Sequence, residues 1–82
     1  MDFDEIKERF DAVQNYSENA CNIVTQLLGS MRKHAQKNIP FKQWHLEHIM
    51  VYEELNIYLS ELGKSSITYE ELKFVYSKLS SL

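Results

Sequence analysis

Cysteine, proline and glycine are scarce in this chain: of 82 residues, one is cysteine, one is proline and two are glycine. Cys21 has no partner for an internal disulfide, so nothing staples the fold covalently, and a reducing compartment, the cytoplasm, is the expected location. Gly29 and Gly63 are too few and too far apart for a glycine-rich phosphate loop. No uninterrupted apolar run approaches the ~20 residues that span a bilayer. The start MDFDEIKERF lacks the basic and apolar segments of a secretory signal. A cytoplasmic chain with no membrane partner is therefore expected. Charge of one sign is also in short supply. Nine bases against twelve acids give a net charge of −3 and a pI near 5.5. That balance argues against a general nucleic-acid binder, and it is too mild for a nucleic-acid mimic. Absent too are internal repeats and any alternating apolar/polar run long enough for a strand.

What remains is helical periodicity throughout. In the first part, Phe3, Ile6, Phe10, Val13, Ala20, Val24, Leu27 and Met31 repeat with a seven-residue period that only Ser17 interrupts. Asp2 and Glu5 have the spacing of an N-cap and its third helical residue. This predicts one helix over about 3–36, about 50 Å long at 1.5 Å per residue. Asn38-Ile39-Pro40 ends it, because the residue before proline avoids helical geometry.

The stretch Pro40–Gly63 then reads as the organising helix, about 40–62. Phe41, Trp44, His48, Val51, Leu55, Tyr58 and Leu62 keep one face toward a partner. Leu46, Met50 and Ile57 project to the opposite side, where a helix packed on one face has no use for them. Gly63 stands where a left-handed C-cap is expected. Thr68 with Glu71 fits a capping box, and Ile67 with Leu72 a hydrophobic staple, opening a third helix over about 69–79. The reading is one all-α domain over 1–82: a long antiparallel helical hairpin plus a short third helix, resembling a three-helix bundle.

Chemistry is thin. His45 and His48 have the i, i+3 spacing that can place two imidazoles on one metal, with His34 across the turn, but Glu47 projects off that face. Histidines bridging an aromatic cluster and solvent are expected instead, with no metal and no cofactor. Cys21 lies in the charge-free run 19–31, with no base or cation to activate it. Glu53-Glu54 and Glu70-Glu71 are sequence neighbours that diverge on a helix, so neither is an acid/base pair. A helix-turn-helix reading of the last two helices offers Tyr69, Glu70, Lys73 and Ser77 to a groove, which is poor equipment, and no aspartate supports a calcium loop there. The chain is not expected to be an enzyme.

Length suggests a function. An 82-residue domain has a thin core. A first helix outreaching the second by about ten residues, roughly 15 Å, leaves Phe3, Ile6 and Phe10 without cover. Those three, with Leu46, Met50 and Ile57, are the expected interface of a helical protein–protein interaction module that self-associates as a homodimer or binds another protein. The alternative is a small dimeric DNA-associated regulator, with Arg32, Lys33, Lys37 and Lys42 around the turn contacting phosphates.

Overall fold

A computed structural model describes residues 1–81, and over these the chain is all-helical with no strand. There are five helices rather than three: α1 (Phe3–Gln14), α2 (Glu18–Gln36), α3 (Phe41–Glu47), α4 (Ile49–Glu61) and α5 (Tyr69–Ser80). Both long helices read from the sequence are divided. The longest dimension is 33 Å, which has no room for a 50 Å rod.

The first break is at Ser17, the residue that interrupts the apolar seam. Asn15 and Tyr16 turn back on the carbonyls of Asp11 and Val13, both at 3.1 Å. Ser17 is extended (φ −162°, ψ 169°), and its Oγ accepts the Ala20 N–H at 3.1 Å, capping α2. Serine here starts a new helix instead of weakening an old one. The turn folds α1 back onto α2 and α4.

The second break is at His48. Its backbone N–H bonds the His45 carbonyl at 3.1 Å, while its ring Nδ1–H takes the Trp44 carbonyl at 2.8 Å. The imidazole thus occupies the acceptor that the helical i→i−4 bond would use, and the ladder slips.

The remaining boundaries follow local chemistry. Asp2 caps α1 through the Asp4 N–H at 3.0 Å. Asn38 (φ 61°) and Gly63 (φ 70°) are the two left-handed residues among those described, each ending a helix in a Schellman turn. Ile39 N–H bonds the His34 carbonyl at 3.1 Å, and Lys64 N–H bonds that of Leu59 at 2.9 Å. Thr68 and Glu71 form the expected capping box, with Ile67 and Leu72 fully buried beside it. No helix among the described residues is long and apolar enough to cross a membrane.

The organising element is α2, not the stretch from Pro40 to Gly63. Ala20, Val24, Leu27, Met31 and Ala35 form its buried stripe, and it packs against each of the other four helices. Trp44, Leu55, Leu59, Val13 and Leu72 complete the core from α3, α4, α1 and α5.

Candidate protein interface

Folding α1 back decides the fate of half the expected interface. Ile6 and Phe10 are only 1% and 4% exposed, so they are core residues and not an uncovered patch. Phe3 is 40% exposed and meets Phe74 edge-on, with ring centroids 6.3 Å apart. The other half stays bare: Leu46 is 62%, Met50 78% and Ile57 58% exposed. In this row Met50 follows Leu46 by four residues across the His48 slip and precedes Ile57 by two turns of α4, about 10 Å at 1.5 Å per residue. Ile49, more than one third exposed, lies beside it. Leu46, Ile49 and Met50 share a shallow depression with Gln26 of α2, so the row borders the central helix.

A polar network beneath this row fixes α3 and α4 on α2. Trp44 is fully buried, and its indole N–H needs a partner there. It donates to Ser30 Oγ at 3.1 Å, and the Ser30 hydroxyl lies 2.8 Å from His48 Nε2. Because Nδ1 of His48 faces the Trp44 carbonyl, Nδ1 carries the hydrogen and Nε2 accepts from Ser30. The bonds run in one direction, from Trp44 to Ser30 to His48 and back to Trp44. His48 also stacks on Trp44 at 4.7 Å, and His34 meets it edge-on at 5.4 Å. His34 Nδ1 donates to the Ser30 carbonyl at 2.7 Å. The Ser30–His48 distance matches that of a nucleophile and its base. Yet the indole occupies the hydroxyl oxygen, and Ser30 sits mid-helix, where neighbouring N–H groups are spent on the helix ladder.

His45 turns elsewhere, onto Tyr69 at 4.9 Å and Tyr52 at 5.4 Å, so His45 and His48 do not converge on one point. No group of three or more His, Cys, Asp or Glu side chains is placed to hold a metal among the described residues. Cys21 is a half-buried free thiol.

The four basic residues are all exposed. Arg32 edges a groove between α1, α2 and α5, whereas Lys42 borders a separate dip with Leu46. Lys37 is the C-cap of α2, and Lys33 lies in its last turn.

Sequence reasoning missed Arg9. Its guanidinium is buried, pairs with Glu71 and donates to the Ser66 carbonyl at 2.9 Å, bridging α1 to the loop before α5. Burial pushes the Glu71 carboxyl up. The bonds from Arg9 and Thr68 outweigh that and hold it below the usual carboxylate value. The available signal was spacing, since Ile6, Arg9, Phe10 and Val13 share one face.

Against family models, curated proteins and solved structures, the chain matches nothing.

Proposed function

We propose that this chain is a small helical protein–protein interaction module, of the adaptor, small-subunit, chaperone-like or inhibitor kind, working in the cytoplasm. In this reading α2 and the α3–α4 pair are the arms of the hairpin read from the sequence, and α5 is its third piece. The supporting observation is the Leu46–Met50–Ile57 row: three large apolar side chains, each more than half exposed, on a firmly anchored support. A row of this kind accepts the apolar face of a second helix, from another protein or from another copy of the chain.

Light scattering on the purified protein, followed by affinity capture from its native lysate, tests this. Met50→Asp should abolish the specific partner or the dimer, while Lys33→Glu with Lys37→Glu should leave either intact. A monomer that retrieves nothing specific overturns the proposal. Capture of nucleic acid that fades steeply with salt and is lost on reversing Lys33 and Lys37 would support the DNA-associated alternative instead.

A further inference from the structure

On the far side of α2 from α3, the helices α1, α2 and α5 enclose a groove of about 470 Å³, within the range of about 300–1,000 Å³ typical of small-molecule sites. Phe3, Phe10, Leu28, Val75 and Leu79 line it, and its exposed lining is overwhelmingly apolar. Gly29 also lines it, and a Cβ added there would meet nothing within 4 Å. Three charges stand along the groove: Lys7, Asp11 and Arg32. Lys7 Nζ is held by Asp11 at 3.0 Å. Arg32 makes no ion pair among the described residues, which leaves one uncommitted guanidinium beside a long apolar wall.

We infer that this groove binds a straight-chain fatty-acid carboxylate, with its tail against Phe3, Phe10, Leu28 and Leu79 and its head on Arg32. Charge complementarity selects the ligand class. A carboxylate matches the guanidinium fork and neutralises its single charge. A phosphate monoester, carrying about −1.5 to −2, would leave charge uncompensated on a chain that is already net −3. The apolar lining favours an unfunctionalised tail over a polar ring. The site is independent of the Leu46–Met50–Ile57 row.

Calorimetric titration of the lipid-free full chain with octanoate, decanoate and laurate, each below its micelle concentration, tests this. One site per chain is expected, tightening about fourfold per added methylene. Arg32→Gln should weaken laurate about fivefold or more while sparing the neutral 1-decanol. Gly29→Leu should fill the groove and abolish binding of laurate and decanol alike, with thermal stability held or raised, which separates occlusion from unfolding. Met50→Asp should change none of these. Absence of saturable heat, or binding indifferent to both groove variants, overturns the inference. So does a dimer that Gly29→Leu dissociates, because a second copy would then be the occupant.

Discussion

Two apolar regions that both looked surplus have opposite fates in this protein. Ile6 and Phe10 of α1 and Met50 and Ile57 of α4 all looked surplus to a two-helix packing. The first pair is buried and the second is bare. What separates them is the face each occupies and whether the chain folds back over it, not hydrophobicity. At Ser17 the backbone goes fully extended for one residue, so α1 reverses onto the core and hides its face. Past the slip at His48, α4 buries Val51, Leu55 and Leu59, and Met50 and Ile57 on its opposite face stay outside. A period of seven reports that a face is apolar, and the turns decide what covers it.

The sharpest way to break this contrast is truncation at matched positions. Phe10→Ala should cost about 3 kcal/mol in chemical denaturation, the low end for a buried phenylalanine because the adjoining groove allows some relaxation. Met50→Ala should stay within about 0.5 kcal/mol. Equal losses would mean that Met50 is covered in solution, and a concentration-dependent midpoint would show that a second copy does the covering.

Next in size is the clamp that holds the covered side shut. Arg9→Met should cost about 2 kcal/mol, since it leaves the Ser66 carbonyl and a half-buried Glu71 without their partner. The pH dependence sharpens this. The Glu71 carboxyl is held below its usual value in the folded state, so its contribution is complete above the ordinary carboxylate range, near 4.5. That contribution is lost as pH falls through the lower folded value. Stability against pH should therefore drop through the acid range in the parent and show a shallower drop in Arg9→Met. Superimposable profiles would place the acid sensitivity elsewhere.

The all-α class was legible from periodicity along the whole chain, and the capping box at Thr68, the left-handed Gly63 and the start of α5 from four or five neighbouring residues each. The helix breaks were not, for two different physical reasons. Ser17 was visible as a fault in the seam, and Asn15 and Asn19 flank it with turn-forming chemistry. A single serine can nonetheless be tolerated or can cap, and capping lets α1 pack back on α2 and α4, contacts far from Ser17 in sequence. His48 gave no local signal, because the bond that breaks the ladder is made by a side chain whose other nitrogen is held by Ser30, eighteen residues away. Of the candidate interface, the exposed row was legible from its position opposite the core face. The Arg9–Glu71 pair spans sixty-two residues, and no spacing rule reaches that far.

A smaller effect isolates the break itself. Ser17→Leu completes the seven-residue seam, so a continuous first helix predicts a gain in stability from it. Capping predicts the reverse, a loss of about 1 kcal/mol as the Ala20 N–H loses its acceptor. The sign of the change in denaturation midpoint decides between the two, and a gain would reopen the extended helix and expose Phe10.

The smallest change addresses the rim between the covered region and solvent. Gly29 lies inside α2 with ordinary helical dihedrals, is exposed, and has free space where a methyl group would stand. Glycine there serves no backbone requirement and carries the entropic cost of a mid-helix glycine, so Gly29→Ala should stabilise the fold by up to about 1 kcal/mol. Thermal unfolding at several protein concentrations reads this directly. A loss would mean that a partner chain or ligand already approaches the α2 backbone at that point, and the groove would then be occupied in the purified protein.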